Sequence, residues 1–326
     1  MRNFERSLIT EWRRLQLPRS DNVIIVAISG GADSMSLLLA VNELKKQNKL
    51  DLRIVAAHFN HRLRDVASDE DELFVRELVA ERKIEFAVEH SKKKYTSNVE
   101  EKARIERYKF LQRTAENLDA FAVLTAHTVD DQAETFLLNL IRGSGIRGLS
   151  GMRPIRELGS QTLLVRPLLS WARRSDTEAF CHELGIDYRS DTMNEDETFA
   201  RVRIRKILIP LLKDFNPKIV ERLAETARLL QSELPPPEEA NIENLKLSEL
   251  KLLPEGDLKR KIRSWISANR GNLRRIELKH TEAIERLINS RKSGKTIELP
   301  GGDKVYKEGG ELVFGKNMVE KRRPGN

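Results

Sequence analysis

Residues 29–34, Ser-Gly-Gly-Ala-Asp-Ser, place two hydroxyls, two glycines and one carboxylate within six positions. The apolar, β-branched run Val23-Ile-Ile-Val-Ala-Ile28 precedes them, and the amphipathic stretch 35–44 follows at once. A buried strand ending in a glycine turn at a helix start is a phosphate-binding geometry. Gly30 and Gly31 let the backbone approach an anion closely, and the helix amides and dipole favour negative charge there. Ser34 alone reads as an ordinary N-cap; so many polar groups after such a strand favour an anion site formed by Ser29, Gly30, Gly31, Ala32, Asp33 and Ser34.

Three further segments carry chemistry. His58-Phe-Asn-His61-Arg-Leu-Arg64 holds two histidines three apart, too few ligands for a metal site and more commonly an ordinary polar loop. In His127-Thr-Val-Asp130-Asp131-Gln-Ala-Glu134, a helix starting near Asp130 puts Asp130 and Glu134 on one face, with His127 a turn before Asp131. Acids there suit a helix dipole, and equally a cation, either magnesium bridging ATP oxygens or the ammonium group of a substrate. Arg201 and Arg205 are four apart and can reach one phosphate together.

Two motifs are decoys. Ser293-Gly-Lys-Thr296 has Asn289 where the first Walker glycine belongs, and Arg142-Gly-Ser-Gly-Ile-Arg-Gly148 follows a helical rather than a strand pattern. The latter reads as a mobile glycine loop beside the crevice.

Strand-like runs alternate with helical ones: 52–57 then 67–82, 85–89 then 98–117, 121–126 then 131–142. This alternation predicts an α/β fold, a doubly wound, Rossmann-like parallel sheet. The loops at 29–34, 58–64 and 127–134 then converge at the carboxyl ends of the strands. Residues 163–230 read as mostly helical. The domains expected are a catalytic one over 1–215, a helical and proline-rich connector over 216–240 containing Leu234-Pro-Pro-Pro, and a smaller mixed α+β domain over 241–326. In the last, helices near 245–288 precede short strands at 295–299, 303–307 and 311–315.

The 326 residues carry a net charge of +8 and a single cysteine, Cys181, which excludes an intramolecular disulfide and a cysteine-built zinc site. No apolar run reaches about 18 residues, and the first residues lack the apolar core of a signal peptide, so a cytoplasmic protein away from membranes is expected. Between Gly256 and His280 stand eight basic residues (Lys259, Arg260, Lys261, Arg263, Arg270, Arg274, Arg275, Lys279) and two acidic ones. Such a stripe suits an RNA backbone. Trp265 within it reads as core.

The loop 29–34 resembles the pyrophosphate (PP) loop of the N-type ATP pyrophosphatases. With the His58–Arg64 segment, Ala103-Arg104-Ile-Glu-Arg107-Tyr108, His127–Thr135, Arg142–Leu149 and Arg166-Pro-Leu-Leu169, the likeness narrows to the tRNA(Ile)-lysidine synthetase family. It runs continuously over about residues 20–215 and is weaker over 240–316. Met193 and Val202 depart from the family, which usually has Ser and often Asn there. The resemblance implies that ATP adenylates the oxygen on carbon 2 of the wobble cytosine in a tRNA(Ile) with a CAU anticodon. The ε-amine of free L-lysine then attacks that carbon and expels AMP. It implies ATP at 29–34 with His58 in support, Mg2+ at Asp33, lysine chemistry at Asp130, Asp131, Glu134 and His127, and phosphate charge balanced by Arg104, Arg201 and Arg205. tRNA would lie on Lys259, Arg260, Lys261, Arg263, Arg274 and Arg275, and a homodimer is left open. The rivals are a PP-loop tRNA sulfur transferase, which needs cysteines in its catalytic core or paired for an iron–sulfur cluster, and an ATP-dependent amide synthetase acting on a small metabolite, which leaves the basic stripe without a role.

Overall fold

A computed structural model describes residues 1–62, 66–92, 99–159, 161–189, 199–234, 244–273, 275–290 and 294–316. Met193, Arg274 and all but the first residue of the 234–240 connector lie outside them. The chain forms two compact units, Met1–Leu234 and Pro235–Asn326.

The first unit runs α1 (Asn3–Arg14), β1 (Ser20–Ala27), α2 (Ala32–Lys46), β2 (Asp51–Asn60), α3 (Val66–Glu81), β3 (Glu85–His90), α4 (Val99–Asn117), β4 (Ala122–Leu124) and α5 (Val129–Ile141). Then come α6 (Ile146–Leu149), β5 (Ile155–Glu157), β6 (Leu163–Val165), α7 (Arg174–Glu183), α8 (Ala200–Arg203), a π-helical turn (Ile204–Leu208), α9 (Ile209–Phe215) and α10 (Ile219–Glu233). The sheet order is β3-β2-β1-β4-β6-β5, parallel throughout except for β5, which runs antiparallel to β6. This is the expected mostly parallel, doubly wound sheet.

Successive side chains of a strand point to opposite faces, and the core divides accordingly. Ile24, Val26, Ile54, Ala56, Ala122 and Leu124 join the cluster that receives α1, α2 and α7. Ile25, Val55, Ala57 and Val123 join the one that receives Phe110, Leu111 and Ala115 of α4. On α1, Phe4, Leu8 and Trp12 recur at helical spacing and face the first cluster. The stretch 163–230 is less uniformly helical than its pattern predicts, because β6 opens it. At three residues each, β5 and β6 are too short to show a period. Over 216–240, where a connector is expected, α10 is helical to Glu233 and packs Val220 and Leu223 against Val129, Ala133 and Leu137 of α5.

The second unit contains β7 (Leu245–Lys246), α11 (Leu247–Leu250), α12 (Glu255–Arg270), α13 (Leu278–Asn289), β8 (Thr296–Glu298), β9 (Lys304–Glu308) and β10 (Glu311–Gly315). Its antiparallel sheet, ordered β7-β10-β9-β8, and its helices close over Ile262, Trp265, Ile266, Ile284 and Ile288. Trp265 is buried, with its ring edge-on to Phe314. Among the described residues no helix is long and apolar enough to cross a membrane.

Candidate active site

The strand order reverses direction between β1 and β4, and the loops leaving these neighbours build one crevice. After β1, Gly30 takes φ +87°, where a side chain is strained. Ser34 ties the turn: its hydroxyl accepts from the Ser29 N–H at 3.1 Å and donates to the Gly31 carbonyl at 3.0 Å. Gly31 caps α2 with no side chain on the helix amides. The N–H groups at 32–34 therefore carry no side-chain cap, the geometry that an anion site at this loop requires. The loop is gripped from outside as well. The Arg189 N–H donates to the Gly30 carbonyl at 2.9 Å, and the Cys181 thiol lies 3.6 Å from the Ala32 carbonyl.

A cavity of about 220 Å3 opens on this turn, lined by Ser29, Asp33, Ser34, His61, Arg107 and His127 among others. Burial pushes the Asp33 carboxyl up to about 6, although Thr177 Oγ1 donates to it at 2.5 Å and Arg174 Nε lies 3.8 Å away; Asp131 and Asp130 add to the rise. His127 is held well below its ordinary value by burial and by Arg166, Arg107, Arg104 and Arg201, so it is a neutral imidazole near pH 7. His58 does not line this cavity. It is buried, its Nδ1–H donates to the Ile28 carbonyl at 3.0 Å, and burial keeps it neutral. His58 thus braces the strand end that launches the loop.

At the start of α5, Thr128 and Asp131 form a capping box, with Asp131 Oδ2 accepting from the Thr128 N–H at 2.9 Å. Asp130 takes both arms of Arg173 at 2.9 Å and the Arg174 N–H at 2.9 Å. These arginine contacts outweigh burial and lower its pKa. Glu134 is fully buried, with Arg201 Nε at 3.0 Å and Arg205 Nε at 2.7 Å on its two oxygens. Arg201 and Arg205 do converge, as their spacing predicts, but on this carboxylate. The π-helical turn carries Arg205, and Val202 between the two arginines is buried. Arg104 lies apart from them, over the Tyr108 ring.

The residue that sequence reasoning missed is Arg174. Its guanidinium lies 3.8 Å from Asp33, 3.6 Å from Asp131 and 3.5 Å from Glu134, bringing three of the predicted acids to one centre. Arg173 and Thr177 act beside it from the same helix. The available signal was an arginine pair directly before a helix start, opposite in charge to the acids opening α5. Among the described residues no group of three or more His, Cys, Asp or Glu could by itself hold a metal ion.

In the second unit, Lys259 is paired with Glu255 and Glu285, Arg260 with Asp257, and Lys279 with Glu277. Lys261 and Arg275 form no ion pair with a described acid.

Comparison with known proteins places these features. The family model for the PP-loop domain matches residues 4–212. A tRNA(Ile)-lysidine synthase of Geobacter sulfurreducens is 36% identical over 323 residues, 93% of this chain and 67% of that one. One from Dehalococcoides mccartyi is 33% identical, covering 85% of this chain and 63% of its own length. The chain spans roughly half to two thirds of the length of the first curated relatives it matches, from 45% to 67%. The solved U34-tRNA thiolase NcsA from Methanococcus maripaludis, with its 4Fe-4S cluster, shares the fold at a TM-score of 0.61 and 16% identity over 71% of this chain and 80% of that one. With a PP-loop domain over most of its length and 36% identity to a lysidine synthase along 93% of its residues, the chain belongs to the tRNA(Ile)-lysidine synthase family.

Proposed function

We propose that the chain is a cytoplasmic ligase that joins free L-lysine to carbon 2 of the wobble cytidine of a tRNA(Ile) with a CAU anticodon, converting ATP to AMP and pyrophosphate. The observation that carries this reading is the uncapped start of α2 at the switch point of the sheet, with Asp33 and neutral His127 facing one cavity. Ser29, Ser34 and the amides of 32–34 hold the departing pyrophosphate. A carbonyl oxygen leaves poorly, and its adenylation supplies the better leaving group.

The residues present fit magnesium held mainly by phosphate oxygens. Asp33 offers one carboxylate that burial drives toward protonation and that gains from a nearby cation. Bound there, the ion offsets triphosphate charge. Lysine attacks only as the neutral amine, so the site must hold the ammonium and then take its proton. Asp131 and His127 have these roles. Asp130 and Glu134, each occupied by guanidiniums, hold Arg173, Arg174, Arg201 and Arg205 in place. In the C-terminal unit, Lys261, Arg263, Arg274 and Arg275 meet tRNA phosphates.

A sulfur-transfer role is disfavoured by Cys181. It is the one cysteine of the chain, it is fully buried in α7, and burial together with Asp33 and Glu178 pushes its thiol up to about 11. A thiol kept protonated and enclosed is a poor sulfur carrier. The test is incubation with ATP, labelled lysine and candidate tRNAs. Label entering the CAU-anticodon tRNA(Ile), with one AMP formed per lysine, is the expected result. AMP formation without lysine in the RNA would refute the assignment.

A further inference from the structure

A second concavity, about 410 Å3 and open, lies on the first unit between α4 and the β5 edge of the sheet. Arg104, Lys109, Arg156, Tyr108 and Gln112 line it, together with one carboxylate, Glu101. Three guanidiniums stand around the Tyr108 ring, Arg104 at 5.2 Å, Arg156 at 5.3 Å and Arg107 at 5.7 Å from its centroid. Arg166 completes the cluster from behind. It is 2% exposed, with Nη1 donating to the Arg153 carbonyl at 2.6 Å and Nε buried without a partner. The Tyr108 hydroxyl is likewise buried with no hydrogen-bond partner in good geometry. None of the four arginines forms an ion pair with a described carboxylate.

A buried cation without a counter-charge is costly, and so is a buried donor without an acceptor. Of the four guanidiniums Arg166 is in this state, and Arg104, Arg107 and Arg156 add like charge around the same ring, so the cluster favours anionic oxygen. Burial alone would raise the phenol pKa, yet Arg104, Arg107, Arg166 and Arg156 reverse that and lower it, as expected in a strongly positive field. The cluster is also continuous with the nucleotide crevice. Arg107, stacked on one side of Tyr108, lines the cavity of Asp33, while Tyr108 itself lines the outer concavity. An aromatic ring among guanidiniums beside an open groove suits a single nucleic-acid strand, with its phosphates on arginine and its bases near the ring.

We infer that this groove binds the phosphodiester backbone of the RNA strand whose target base enters the crevice, with Arg156 and Arg104 on phosphate oxygens and a base near the Tyr108 ring. This rests on the reading that RNA is the substrate, and it gives the catalytic unit its own RNA contact. The same oxygen chemistry could come from ATP, so the test separates the two sources.

Arg156 and Arg104 are exposed, so their alanine variants keep the fold. Binding of the CAU-anticodon tRNA(Ile) is measured between about 50 and about 200 mM salt, where single-strand contacts each contribute roughly 0.7 to the log–log slope. Arg156→Ala is expected to weaken tRNA binding roughly five- to tenfold, to flatten the slope by one such contact, and to leave ATP affinity within about twofold. Arg104→Ala in addition removes a second contact. Unchanged tRNA affinity and slope in the double variant would overturn the inference. So would a loss of ATP affinity equal to the loss for tRNA, which would hand the arginines to ATP. The wild-type protein separates the two readings. If it binds tRNA through these residues yet never incorporates lysine, the groove stands and the ligase reading fails. If it makes lysidine and the variants bind tRNA normally, the groove alone fails.

Discussion

Asp33→Asn is expected to stabilise the ligand-free protein near pH 7.5 while abolishing product formation. The Asp33 carboxyl is raised from 3.8 to about 6 chiefly by burial. At about 1.36 kcal/mol per pH unit, holding it ionised costs about 3 kcal/mol. The side chain retains 27% exposure, and solvent screening lowers the expectation to about 1–3 kcal/mol. Between about pH 4 and about pH 6 the native state binds more protons here than the unfolded chain does. Wild-type stability contributed by this group therefore falls as pH rises through that window and stays low above it.

Asparagine keeps an oxygen for the Thr177 hydroxyl and removes the titration. The variant should match the wild type near pH 4 and exceed it above pH 6. Hydrogen exchange at β1 and β4 amides under urea reads the stability of the first unit directly. Magnesium-ATP at about 100 times its dissociation constant should stabilise the wild type by about 2.7 kcal/mol and the variant far less. A variant less stable than the wild type at pH 7.5, with parallel pH profiles, would refute the reasoning and make Asp33 a structural partner of Thr177 and Arg174.

Glu134→Gln leaves Arg201, Arg205 and Arg174 facing one another, and should cost about 2–4 kcal/mol in urea unfolding, partly recovered by adding Arg205→Met. Wild-type stability in the single variant would show that the carboxylate does not hold the cluster. Cys181→Ala should retain turnover at a packing cost of about 1 kcal/mol; a folded but inactive variant would revive sulfur chemistry. In the C-terminal unit, Lys261→Ala or Arg275→Ala should weaken tRNA binding and flatten its salt slope by about 0.7–0.9 each, whereas Arg260→Ala, already paired with Asp257, should do less. Equal effects from all three would make this face a diffuse positive field.

The parts legible in the sequence are those governed by local pattern. Val23–Ile28 announces β1 because β-branched residues run unbroken into a glycine turn, and the phosphate loop follows from glycine, hydroxyl and helix start within six residues. The β5–β6 hairpin escaped because three-residue strands show no periodicity. Arg174 escaped for a different reason. It lies 40 positions from Glu134 along the chain, and only the closure of α7 over the switch point brings them together. Spacing placed Arg201 and Arg205 on a common target but could not name it. Glu134, an acid on a helix that a sequence reader assigns to the crevice, proved to be the buried counter-charge of the basic segment.

Beneath the crevice, Asp33, Asp130, Asp131, Glu134 and Glu221 meet Arg173, Arg174, Arg201 and Arg205, five carboxylates to four guanidiniums. A layer in which nearly every carboxylate already faces a guanidinium has little spare charge with which to attract an incoming ammonium ion. On the lysine-ligase reading, the substrate ammonium would displace a guanidinium from its carboxylate, and its capture would amount to ion exchange. Selectivity then depends on what the released arginine gains elsewhere, and the phosphates of ATP are the natural acceptor. Such an exchange would order the two substrates, with nucleotide first, through charge balance alone and without any moving lid.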